Sequence, residues 1–119
     1  MRLVIPDWHP ARLNLLLKRG PFMHDGKWTS ASKLKRADAK MLWAHTIGAA
    51  KAKGRRRLSV TLVYPPAGRR MDPDAWQKSL LDALVSVGLL IDDSPKWVEI
   101  SPVKYERGGK ATIIELEDL

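Results

Sequence analysis

A chain of 119 residues, 45% of them apolar, has room for one compact domain with a modest core, and it reads as a single domain over residues 1–119. Its formal net charge of +8 points to a phosphate-rich partner, because basic side chains displace condensed counterions from a nucleic acid backbone; a surface kept basic only for solubility is the plainer alternative. The absence of cysteine excludes disulfides and thiolate metal sites, and neither a secretory leader nor an apolar run of ~18 residues is visible, so the expectation is a cytoplasmic protein with no membrane partner.

The first residues, MRLVI, alternate as a short strand, with Leu3 and Ile5 on one face and Val4 on the other. Residues 6–28 carry three prolines and two glycines and read as a long basic loop, the kind that is functional or mobile in a small domain. A helix is expected from Ser30 or Ser32 to about Lys53, with Ser32 a plausible N-cap and Leu34, Ala37, Met41, His45 and Gly48 on one face. Trp43 and Ile47 form a second apolar patch one turn apart, either core or a partner surface. Gly54 ends that helix. A strand follows in which Leu58, Val60, Leu62 and Tyr64 alternate with Ser59, Thr61 and Val63; both faces are fairly apolar, as in a central strand, and Pro65 and Pro66 stop it.

A second helix is well marked. Asp72 or Asp74 can cap it, Pro73 suits its first turn, Trp76, Leu80, Ala83, Leu84 and Val87 line one face, and Gly88 suits its C′ position. A strand from about Trp97 to Tyr105 then leads through a tight RGGK turn, in hairpin fashion, to a last strand in ATIIELEDL. The order β-α-β-α-β-β predicts an α/β (α+β) fold: one mixed sheet of about four strands with two helices packed on it.

The stretch RRMDPDAWQK sets two aspartates directly after two arginines. In extended backbone, residues two apart point the same way, so Asp72 and Asp74 can share a hard cation such as Mg²⁺. Capping competes with this reading, since Asp is a good N-cap and favours the positive end of a helix dipole. Lys78 and Asp82 continue at four-residue spacing, either as a surface ladder of ion pairs or, for Lys78, as a cation beside a bound phosphate. A second acidic pair, Asp92–Asp93, precedes Ser-Pro, where turn chemistry alone accounts for it. His9, His24 and His45 lack ligand spacing. Trp8, Trp28 and Trp43 could stack on bases, although tryptophan in a small domain more often fills the core.

Taken together, Arg69, Arg70, Asp72, Asp74, Lys78, Asp82-Ala83-Leu84, Gly88 and Asp92–Asp93 resemble the signature region of the RusA family of Holliday junction resolvases, over about 25 residues. More loosely, HPARLN resembles the family's Pro-x-Ser-x-Asn loop, with Ala11 near the serine and Asn14 at the asparagine. The resemblance implies a homodimeric, Mg²⁺-dependent endodeoxyribonuclease (Mn²⁺ a possible substitute) that resolves four-way DNA junctions by paired symmetric nicks in recombination and repair, and it makes a phage or prophage origin plausible. It implies Asp72, Asp74 and Asp93 as metal ligands and catalytic residues, Lys78 as the basic catalytic residue, and Arg69, Arg70, Lys78 and Asn14 as DNA contacts. Ala75 departs from the pattern, which often has Asn there.

The chemistry is coherent, since a cation held by carboxylates acidifies water and shields phosphate charge, and a basic rim keeps the aspartates from repelling DNA. Arg55, Arg56, Arg57, Lys33, Arg36, Lys40, Arg107 and Lys110 are the rim residues besides the arginine pair. A broader nuclease for flaps or forks and a non-catalytic basic DNA-binding module are the competing readings.

Overall fold

The structure is a computed structural model, and it describes residues 1–68 and 72–119. It is mixed α+β, as the sequence predicts, built on the long strand β4 (Arg56–Tyr64). One edge of β4 pairs antiparallel with β7 (Ala111–Asp118), which in turn pairs antiparallel with β1 (Arg2–Pro6). The register explains the alternation. Leu3, Ile114 and Val60 lie abreast, as do Ile5, Thr112 and Leu62, so the apolar rows of three strands merge into one inward face. Leu42 from α2 (Ala31–His45) and Trp76, Leu80, Ala83 and Leu84 around α3 (Gln77–Ser86) close over it.

The expected strand at 97–105 is two strands, β5 (Val98–Ile100) and β6 (Lys104–Arg107), both parallel to the other edge of β4. Arg56 faces Val98 in β5 but Thr61 faces Lys104 in β6, a slip of one residue across Ser101–Val103. One extra residue flips every later side chain, and Pro102 has no N–H for the ladder, so a single regular strand cannot run through. The expected hairpin also gives way. β6 and β7 lie on opposite edges of β4, and the glycine turn passes over its end, where the Gly108 amide donates to the Tyr64 carbonyl at 2.8 Å.

Residues 6–28, read above as a loop, hold the short helix α1 (Leu13–Leu16), and a two-stranded ribbon of β2 (Phe22–His24) and β3 (Lys27–Thr29) closes this region. α2 begins after Ser30, whose side chain accepts from the Lys33 amide, and not at Ser32. It ends at His45, two turns before Lys53, where the Thr46 hydroxyl donates to the Leu42 carbonyl at 2.8 Å and Gly48 takes a φ of 83°. Its inward face is shifted from the expected one: Asp38 and Leu42 are buried while Ala37 and His45 are exposed. α3 closes as expected at Gly88. Its φ is 83°, its amide donates to Val85, and the Leu89 amide reaches back to Leu84, which is the Schellman arrangement.

Candidate functional site

Beyond β4 the chain turns at Pro65–Gly68, braced by Arg107, whose guanidinium donates to the Pro65 and Gly68 carbonyls at 3.2 and 3.0 Å. Arg69 and Arg70, expected as DNA contacts, lie outside the described residues. Asp72 is extended, with φ −67° and ψ 149°, but Pro73–Ala75 winds into a 3₁₀ turn instead of continuing extended. The Ala75 amide bonds to the Asp72 carbonyl at 2.9 Å and the Trp76 amide to the Pro73 carbonyl at 3.2 Å, so a tight turn takes the place of strand alternation in arranging the two aspartates.

Asp72 holds the N-cap position of this turn, yet its side chain makes no capping hydrogen bond. Trp76 occupies the N-cap position of α3, again without a side-chain cap. The turn therefore uses neither carboxylate in the manner that capping would require. Both aspartates are exposed, and both line an open groove of about 420 Å³ with Arg12, Asn14, Leu17 and Ala75. Asn14, expected from its resemblance alone, thus shares a groove with Asp72 and Asp74. Arg12 is a residue the sequence reading missed; it also lines the adjoining groove of about 580 Å³, which holds His9, His24, Tyr64 and Lys110. Arg12 and Asn14 line both grooves.

Lys78 stands on the first turn of α3. Its ammonium pairs with Asp82, one turn on, at 3.1 Å, and with Asp93 on the loop that follows the helix. The fold therefore does return the acidic loop to α3, but it brings Asp93 to Lys78. Among the described residues no three His, Asp or Glu side chains gather as a metal-holding group, so the expected set of Asp72, Asp74 and Asp93 is not assembled as one. The hydrogen bond from Lys78 holds the Asp93 carboxyl below the usual carboxylate value, and the bonds to Asp93 and Asp82 hold the Lys78 ammonium above the usual lysine value. Both pairings favour the charged form of Lys78.

Of the expected basic rim, Arg56 is buried and donates to Asp118, Leu89 and Ala50, while Arg57 joins Glu99 and Glu117. Both serve the fold. Lys33, Arg36 and Lys40 are exposed on α2, and Lys110 lines the larger groove. Trp8 is buried, whereas Trp28 and Trp43 are exposed, as is Ile47, so the Trp43–Ile47 patch is surface and not core. His9 is half-buried. Its Nε2 lies 2.8 Å from the Val63 carbonyl, its ring packs on Tyr64, and burial lowers its pKa.

The aspartate pair suits a hard cation. Magnesium is commonly held by one or two carboxylates together with waters and substrate phosphates, a donor type that the two exposed carboxylates of this groove supply. No protein-family model matches the chain, and no curated protein matches it. No helix among the described residues is long and apolar enough to cross a membrane.

Proposed function

We propose that the protein is a Mg²⁺-dependent endodeoxyribonuclease for branched DNA, chiefly four-way junctions, in recombination and repair. The observation that carries this reading is the groove. Asp72 occupies a capping position without capping, and it lines one wall with Asp74 beside Asn14 and Arg12. Two carboxylates left to solvent on one groove, in a chain of net charge +8, suit a cation that a phosphate must approach.

Asp72 and Asp74 would hold the cation, which when bound supplies a more acidic water and neutralises phosphate charge, with Mn²⁺ able to substitute. Arg12 and Asn14 orient the phosphodiester along the groove. Water adds to phosphorus, the bond to one sugar oxygen breaks, and that oxygen leaves with a proton. Lys78, kept protonated by Asp93 and Asp82, offsets negative charge at the phosphate. Asp93 acts here by fixing Lys78. Two matched nicks call for two such sites, which a two-fold homodimer supplies, and the exposed Trp43–Ile47 patch is one apolar surface open to it. Cytoplasmic DNA is the matching location.

A second reading has one observation in its favour. With Asp93 paired to Lys78, the three expected carboxylates do not converge, as would hold in a DNA-binding module without chemistry.

One experiment decides between them. Purified protein is incubated with a synthetic four-way junction, a flap and a linear duplex, with Mg²⁺ and with chelator, beside Asp74→Asn. Paired nicks in the junction that vanish in the variant and in chelator are expected. Junction binding without cleavage under Mg²⁺ or Mn²⁺ would establish the binding module, and equal cutting of all three substrates a broader nuclease.

A further inference from the structure

The segment that carries Arg12 and Asn14 to the groove is held by bonds from three distant parts of the chain. On α2, one Asp38 oxygen accepts from the Trp8 indole N–H at 3.3 Å and the other from the Ala11 amide at 3.0 Å. On α3, the Ser79 hydroxyl lies 2.6 Å from the Ala11 carbonyl and 2.8 Å from the Trp76 carbonyl, and its one proton is shared between them with Ala11 the nearer. From β7, the Thr112 hydroxyl donates to the Trp8 carbonyl at 2.6 Å. Both polar groups of Ala11 are therefore gripped, one by each helix, in the residue directly before Arg12.

We propose that Asp38 and Ser79 are positioning residues of the groove, clamping Ala11 from both sides and so holding Arg12 and Asn14 in the groove that Asp72 and Asp74 also line. Its catalytic consequence rests on the nuclease reading, while the clamp itself is a property of the folded chain.

Three features support this. Asp38 is only 7% exposed and lies on the inward face of an otherwise apolar stripe, a position where stability favours leucine. Ser79, Asp82 and Ser86 from α3, Leu16 from α1, and Lys35 and Arg36 on α2 line one cavity with it, and its carboxylate accepts from the N–H groups of Trp8 and Ala11. Burial raises its pKa, so its charge costs folding free energy wherever it is ionised. Keeping a charge at that cost is consistent with a geometric duty. Ser79, finally, directly follows Lys78, so one turn of α3 sets both the cation outside and the clamp inside.

The test uses the full chain as wild type, Asp38→Asn, Ser79→Ala, Asn14→Ala and the Asp38→Asn/Asn14→Ala pair. Asp38→Asn replaces one acceptor by an NH₂ group facing an N–H, which opens the clamp while removing a buried charge. The expected result is a melting temperature within a few degrees of wild type and a junction cleavage rate down about tenfold or more, since small misplacements near a reacting group are expensive. Asn14→Ala should then cost less than about threefold further in the Asp38→Asn background, because its placement is already lost. In wild type the Trp8 indole and Ala11 amide resonances should shift together with pH by NMR as Asp38 takes up its proton, and Asp38→Asn should lack that shared titration. Losses that multiply independently, or resonances that titrate in the same way in Asp38→Asn, would overturn the proposal.

Should Asp38→Asn not fold, Ser79→Ala carries the same rate comparison with Asn14→Ala. If no form of the protein cleaves DNA, the nuclease reading fails, and the resonances alone judge the clamp. If wild type cleaves and Asp38→Asn cleaves equally well, the clamp has no catalytic role and the nuclease reading stands.

Discussion

The two ends of β4 use the same residue types to opposite ends. At its start, Arg56 donates to Asp118 at 2.7 Å and to two backbone carbonyls, and Arg57 bridges Glu99 and Glu117 at 2.8 and 2.9 Å. Past its finish, Asp72 and Asp74 stand exposed on a groove without a capping bond, and Lys78 is joined to Asp82 and Asp93. Each region mixes arginine or lysine with several acids. The difference lies in what the backbone offers nearby. Around Arg56 one strand, through Asp118, and the segments that follow the two helices, through Ala50 and Leu89, supply acceptors within reach, so its charge is absorbed. Around Asp72 a proline-stiffened turn supplies no capping bond, so its carboxylate stands exposed to solvent. Charged clusters are therefore informative by their unsatisfied members.

That contrast can be broken at either end. The largest effect expected is on chemistry. Replacing both Asp72 and Asp74 by Asn should reduce Mg²⁺-dependent junction cleavage by about a thousandfold or more with only a small change in melting temperature, since the turn makes no side-chain capping bond and the two acids contribute at most through the helix dipole. A double variant that unfolds instead would return these residues to a structural role. Next comes Arg56→Met, which strips three donors from a side chain only 4% exposed and should cost about 2–4 kcal/mol by urea unfolding, with junction affinity of the folded protein unchanged. Weaker DNA binding at full folding would place Arg56 in the interface after all.

A smaller effect tests Lys78 and Asp93 through pH. Because the Asp93 pKa is lowered, the stability contributed by the pair is present above the ordinary aspartate value of 3.8 and is lost as pH falls through the lowered folded value. The raised lysine value retains the pair until pH rises past the ordinary 10.5. The stability difference between wild type and Asp93→Asn should therefore be flat across neutral pH and vanish only in strong acid or strong base. A difference that disappears near neutrality would mean that Asp93 has another partner in solution. The smallest change is expected from Arg57→Gln. It should shift the melting temperature slightly in low salt and not at all in high salt, as befits an exposed ion pair.

Much of the frame was legible because it is local. The alternation of Leu58, Val60, Leu62 and Tyr64 predicts the strand that the sheet is built around, and Gly88 predicts the helix stop with its φ of 83°. The fold class follows from these periods. The misses have physical causes as well. Pro102 and a one-residue register slip divide a strand that looked continuous, and pairing to β4 on both sides outcompeted the glycine hairpin. The stripe on α2 was read one position off because its inward face includes Asp38, an acid spaced four residues from both Leu34 and Leu42. That interruption of an apolar row was the available signal for the clamp.

The sequence by itself determined the basic charge, the strand and helix periods, and the crowding of acids and bases between residues 69 and 93. Those properties depend on neighbours within a turn or two, where backbone sterics and side-chain period act directly. Tertiary structure alone decided that Asn14 and Arg12 share a groove with Asp72 and Asp74, that Asp93 meets Lys78, and that Ser79 grips Ala11 across 68 residues of chain. No local preference carries that information, because such contacts exist only after the sheet and its packed helices have closed the loops between them.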